Sequence, residues 1–235
     1  MNRTISTLVI AISFFSVHAQ IDMPDCNASY FDSLFAPVLT ANYYHNFTSQ
    51  NKDDFIDDWR VGEVVYANGV VFENKTLRYN GVIDELVWMR LNDYQTGIVY
   101  KEKIDRFILY KSSTQNSRTF IKTNLPIWLT GSGGDVYLEL LSTEGQYTFY
   151  CFRKMKKNAT EGETYEKFMY FVSVLGDYKK IRLGKKQLLS LIDKNDQQQI
   201  KKLFRQSKLN LHKENDMSTA VDLVNGFYKQ LQISQ

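Results

Sequence analysis

The feature that most restricts this chain is the texture of residues 59–174. Short runs rich in Val, Ile, Tyr, Phe and Thr are broken every few residues by Gly, Asn, Asp or Ser. Runs so short cannot bury themselves as helices, and the punctuation suits tight reversals, so an antiparallel sheet is expected. Residues 62–66 read as one strand, Asn68-Gly69 as a type I′ hairpin turn, and 70–73 as the return. Asn74-Lys75 interrupts, 76–79 resumes, and Asn80-Gly81 makes a second tight turn before a strand at 82–91.

Further strands are expected at 97–100, 106–110, 119–123, 136–141, 146–153 and 165–174. In 146–153, Tyr147, Phe149 and Cys151 alternate with Thr148, Tyr150 and Phe152, so both faces are apolar enough to be covered. After Lys186 the period lengthens to that of a helix. Leu188, Leu189 and Ile192 open a short one, Asp196 with Gln199 forms a capping box ahead of Ile200, Leu203 and Phe204, and Met217, Val221, Val224, Tyr228 and Leu231 mark the last. The expected fold is mainly β with a C-terminal α-helical tail: an antiparallel β-sandwich or open barrel over 59–183, then two or three short helices over 184–235. The stripes are narrow, so the tail either packs on the sheet or forms a small appendage.

The N-terminus carries a basic start, an apolar run from Leu8 to Phe15, and Val17 and Ala19 before Gln20, the pattern of a secretory signal peptide over 1–19. The run is shorter than the ~20 residues of a bilayer span, and no transmembrane span is expected in the mature chain. Residues 20–58 read as an irregular or partly helical segment. Within it, Asn51-Lys-Asp-Asp-Phe-Ile-Asp-Asp58 lacks the glycine and distal glutamate of a calcium loop and reads as a solvated acidic turn.

Export to an oxidising compartment leaves Cys26 and Cys151 free to form one disulfide, with two unpaired buried thiols as the alternative. Charge is unevenly placed. Residues 20–150 hold 11 Lys and Arg against 17 Asp and Glu, whereas 153–213 hold 16 against 6. The excess near +10 in the second stretch attracts polyanions: anionic lipid headgroups, acidic glycans or an acidic protein face. Export weighs against nucleic acid as the partner.

Catalytic signatures are missing from the sequence. The mature chain has two histidines, His45 and His212, without companions at metal or triad spacing, and no Gly-x-Ser-x-Gly elbow, His-Glu-x-x-His pair or Cys-x-x-Cys. Gly131-Ser-Gly-Gly134 lacks the Gly-Lys-Ser/Thr ending of a phosphate cradle and reads as a strand-connecting turn. Asp84 with Glu85, or Asp135 with Glu139, could be nominated as a glycosidase-type carboxylate pair. Trp59, Trp88 and Trp128 offer aromatic faces for sugars or peptides, although core packing accounts for most aromatics. Four Asn-x-Ser/Thr sequons begin at Asn27, Asn46, Asn74 and Asn158. No catalytic residue, cofactor or metal site is assigned.

The run from Gly62 to Asn80, with its Gly-x-Val, turn and Leu-Arg-Tyr-Asn pattern, resembles a group of uncharacterised exported or periplasmic Bacteroidota proteins. Tyr178-Lys-Lys-Ile-Arg-Leu, Lys185-Lys-Gln-Leu-Leu and the final amphipathic helix are similar too. The resemblance implies export in a didermic bacterium, to the periplasm or cell envelope. It brings no functional residues. Asp32-Ser-Leu34 also looks like the short O-glycosylation signal of such proteins, with Ser33 as acceptor. The expected role is a non-enzymatic envelope module that binds a protein, a glycan or an anionic surface, with a carbohydrate-active hydrolase as the alternative.

Overall fold

The computed structural model describes residues 52–91, 94–113, 115–131, 133–158 and 163–233, together with the backbone of Thr40–Tyr44. The signal segment, Cys26, Ser33 and His45 lie outside the described residues. Among the described residues thirteen strands form: β1 (Thr40–Tyr44), β2 (Arg60–Tyr66), β3 (Val71–Asn80), β4 (Glu85–Met89), β5 (Thr96–Val99), β6 (Ile104–Leu109), β7 (Arg118–Leu125), β8 (Gly134–Leu140), β9 (Tyr147–Phe152), β10 (Met155–Lys157), β11 (Thr164–Glu166), β12 (Met169–Val174) and β13 (Asp177–Ile181). Among the same residues four α-helical segments accompany them: α1 (Ile127–Thr130), α2 (Lys185–Leu189), α3 (Gln197–Gln206) and α4 (Glu214–Ile233).

Eleven strands make one open antiparallel sheet in the order β1-β5-β4-β3-β2-β6-β7-β8-β9-β12-β13, and β10-β11 form a separate pair. The mainly β fold with a helical tail is as expected; the tail's last helix, however, runs for 20 residues rather than being short. The sheet curls. In a flat sheet β4 and β8 would stand about 24 Å apart, five spacings of about 4.8 Å. Yet Asp84, one residue before β4, accepts a hydrogen bond at 3.3 Å from the backbone N–H of Tyr137 in β8. Lys101, just beyond β5, places its ammonium 4.9 Å from the Tyr137 ring centroid.

The concave interior is filled by Leu77, Tyr79, Leu86, Trp88, Val99, Phe107, Phe120 and Tyr137, contributed by strands from β3 to β8. The other half of the sheet is flat enough to carry a layer on each face. Tyr147, Phe149, Val172 and Ile181 pack with Leu188, Ile200, Phe204, Met217 and Val221 of the helices. On the opposite face Tyr150, Phe152 and Phe171 pack with Leu125, Leu129 and Val136. Both faces of β9 are thereby covered, and all six of its residues are buried.

Turn chemistry departs from expectation in instructive ways. At Asn68-Gly69 only Gly69 has positive φ (83°), and the Gly69 and Tyr66 N–H groups bond to Tyr66 O and Val70 O at 2.8 and 2.9 Å. That is a three-residue loop with a glycine bulge, not a type I′ turn. Two successive positive-φ residues occur instead at Leu175 (52°) and Gly176 (91°), between the paired Val174 and Asp177. Strands 70–73 and 76–79 are one strand, β3, whose extra residue is absorbed by a bulge near Asn74, at φ 54°. The expected strand 165–174 divides into β11 and β12. β13 is a strand not among those expected from the sequence: the adjacent Lys179 and Lys180 break its alternation, and such lysines suit an edge strand.

At the second reversal the left-handed residue is Asp84 (φ 60°), not Gly81. Gly81 is required for space. A Cβ there would stand 2.7 Å from Arg153 O and 2.6 Å from Met155 Cγ, while Gly81 N–H bonds Asp54 O and Gly81 O accepts from Met155 N, both at 2.9 Å. We expect Gly81→Ala to cost about 1–3 kcal/mol by overpacking, read as a lowered denaturation midpoint. A midpoint equal to that of the parent protein would show that the contact yields freely.

Candidate binding site in the basic C-terminal region

Two groups of charges stand out among the described residues. The first is buried and paired. Asp57 Oδ2 accepts from Arg60 and Arg118 at 3.2 and 2.9 Å; Arg118 grips Glu139 with two bonds of 2.8 Å. Arg153 bonds the same Glu139 and then clasps Glu214 with two bonds of 2.9 and 2.6 Å. Arg60 also donates to Tyr110 O and Asn116 O. Six alternating charges thus join the segment before β2 to β2, β7, β8, the end of β9 and the start of α4. Asp54 accepts from Lys157 at 2.8 Å and Thr164 at 3.2 Å.

The acidic turn expected at 51–58 is therefore only half solvated: Asp53 and Asp58 are exposed, whereas Asp54 and Asp57 are buried anchors. Two guanidinium groups hold Glu139 below its ordinary carboxyl pKa of 4.5 against the opposing effect of burial. Its unfolded form takes up a proton first as pH falls, so its stabilisation is complete above about 4.5 and lost on further acidification. Asp84 has the reverse sign, because burial raises its pKa above 3.8 despite Lys101. We expect the gap in urea midpoint between the parent protein and Glu139→Gln to narrow on acidification through the Glu139 titration. A gap independent of pH there would contradict the assignment.

The nominated carboxylates do not form pairs of free groups. Asp84 bonds the Tyr79 hydroxyl at 2.6 Å and Lys101 at 2.9 Å, and Glu139 is enclosed by arginines, while Asp135 bonds Asn124 at 2.9 Å on the surface. Trp88 is core; Trp59 is half-buried; Trp128 is exposed. The glycine-rich stretch joins a helix to a strand rather than two strands: Gly131 is the left-handed cap of α1 at φ 84° and Gly134 opens β8. Cys151 is fully buried, and burial pushes its thiol pKa up. Its expected partner Cys26 lies outside the described residues. Among those residues no cluster of three or more metal-ligating side chains occurs, and no helix is long and apolar enough to cross a membrane.

The second population of charges is unpaired and gathered. In α3 the residues Ile200 and Phe204 face the sheet, while Gln197, Lys201 and Arg205, four apart, form the stripe alongside them that borders the groove. Against this stripe lies α2, whose Leu188 and Leu189 point inward and whose Lys185 and Lys186 stay at the surface. Between them is a groove of about 1000 Å³ floored by Leu189 and Ile192 and edged by Lys185, Lys186, Lys194, Lys201 and Arg205, with Asp193 its single carboxylate. Among the described residues none of the five cations joins an ion pair.

Local hydrogen bonding sets the groove's shape. The Gln197 side-chain amide donates to Leu189 O and Ile192 O at 3.0 and 3.1 Å, pinning the α2–α3 connection. The capping box does not form: Asp196 has helical φ and ψ and makes no side-chain cap bond, and its carboxylate instead accepts from the Tyr228 hydroxyl at 2.9 Å. His212 is exposed beside Gly184. The charge count announced a basic region; which cations would be neutralised internally was hidden, since Arg153 and Glu214 are 61 residues apart.

No protein-family model, curated protein or solved structure matches the chain.

Proposed function

We propose that this chain is an exported envelope protein that works as a non-enzymatic binding module, and that the α2–α3 groove receives an anionic partner: an acidic glycan, an acidic protein face or an anionic surface. One observation carries the reading, the convergence of five unpaired cations over an apolar floor with a single opposing carboxylate. Such a groove raises the local concentration of polyanions and speeds their capture. The sequence pattern of residues 1–19 supports export, and the resemblance to exported Bacteroidota proteins supports an envelope location.

The rival reading, a hydrolase using two carboxylates, needs two facing groups in one cleft. This groove offers Asp193 alone, which favours binding over hydrolysis. Lys194→Glu with Lys201→Glu should abolish retention on an immobilised acidic polysaccharide, while Lys75→Glu, far away on β3, should leave it intact. Equal retention of both variants would remove the groove from the account.

A further inference from the structure

We infer that a second surface, on the opposite face of the sheet from helices α2 to α4, seats the protein on an anionic lipid bilayer. This inference is independent of the groove. Its centre is α1, a single helical turn between Pro126 and the left-handed Gly131. Leu129 plugs into the core at 3 % exposure and so fixes the turn, leaving Ile127 and Trp128 at 67 and 77 % exposure. Beside Trp128 is a recess of about 390 Å³ whose wall includes Lys154, Lys156, Lys167 and Lys180 and no carboxylate.

The placement follows from strand alternation. Ile181 of β13 packs with the helices, whereas its neighbour Lys180 points to the other face and donates to Leu129 O at 3.0 Å. Lys154 is similarly held by Val82 O at 2.8 Å, while Lys156 and Lys167 are exposed. These two bonds to carbonyl oxygens fix the Lys154 and Lys180 side chains at the recess.

Two properties must be matched by one occupant. A soluble polyanion satisfies the lysines and leaves Ile127 and Trp128 in water. A bilayer surface satisfies both, since tryptophan settles at the headgroup level, an adjacent aliphatic side chain reaches the acyl boundary, and lysines face anionic headgroups. With this face on the membrane, the α2–α3 groove on the other face stays open to a partner.

The test uses the full chain with vesicles of phosphatidylcholine alone or mixed with phosphatidylglycerol, some carrying bromine on the acyl chains. We expect cosedimentation only with the mixed vesicles, quenching of tryptophan fluorescence by the brominated lipid, and loss of that quenching in Trp128→Phe although Trp59 and Trp88 remain. Lys156→Ala and Lys167→Ala should each weaken binding about fivefold. Lys194→Glu with Lys201→Glu should leave quenching in place even where polysaccharide binding is lost, which separates this surface from the groove. Absent quenching, or vesicle binding unaffected by Trp128→Ala, overturns the inference. So does binding of a soluble acidic polysaccharide that depends on Trp128 without quenching by lipid, which would assign the recess to a stacked sugar.

Discussion

Glu139→Ala should destabilise the protein by about 3–5 kcal/mol, seen as a lower urea midpoint with an unchanged slope. The size follows from what is left behind. Glu139 is buried on β8 and is the only carboxylate that touches both Arg118 and Arg153 among the described residues. Removing it strands two guanidinium groups, each largely withdrawn from water, beside one another. Asp57 and Glu214 still hold one arginine each, so the loss is set by the missing centre rather than by the whole chain of charges. Asp135→Ala on the same strand, at an exposed position, should change stability by less than about 0.5 kcal/mol. A loss below about 1 kcal/mol for Glu139→Ala would mean that water or a rearranged partner replaces the carboxylate, and that the network does not clamp α4 to the sheet.

Phe107→Ala should have an effect of similar size, about 3–5 kcal/mol, by a different cause. Its ring stacks on Phe120 at 4.7 Å and 11°, meets Tyr137 edge-on at 5.0 Å, and lies 6.0 Å from Tyr79. Phe107, Phe120 and Tyr137 come from β6, β7 and β8, which are neighbours in the sheet, and Tyr79 from β3, which the curl brings over them. The cavity opened by the substitution cannot collapse without moving strands, so the transfer and cavity costs add. Phe107→Leu, which refills most of the volume, should recover over half of the loss. If alanine and leucine proved equally harmful, the deficit would come from lost ring contacts rather than from the void.

Much of the architecture was legible because it rests on local signals. The runs at 62–66, 106–110, 119–123, 136–141 and 146–153 are apolar and β-branched, and each lies within or across an observed strand. Trp88, flanked by Val87 and Met89, was readable as core and is buried. What failed was finer local chemistry overridden by tertiary contact. Gly81 looks like a turn glycine but is fixed by the close approach of Arg153 O and Met155, more than 70 residues along the chain. Leu175 adopts positive φ at a hairpin where asparagine or glycine would have been expected.

The candidate groove was legible as charge and not as shape. Counting Lys and Arg located a basic region, yet Arg153 and Lys157 of that region are consumed by Glu139, Glu214 and Asp54. Lys201 and Arg205 could have been placed together from helical spacing, on a stripe alongside Ile200 and Phe204. Their convergence with Lys185 and Lys186 depends on how α2 meets α3, which Gln197 sets through two backbone carbonyls. The Trp128 recess was hidden more deeply, since its lysines come from β10, β13 and the two connections flanking β10 and β11.

The most direct test of the central claim is the salt dependence of binding to an acidic polysaccharide, measured in parallel for the parent protein and for Lys194→Glu with Lys201→Glu. Exposed charges interact over about 10 Å at 0.1 M salt and about 3 Å at 1 M, so the parent's affinity should fall steeply as salt rises and the variant's should be weak throughout. Parent affinity that stays level from low to high salt, or a variant whose titration overlays it, would contradict an electrostatic docking groove.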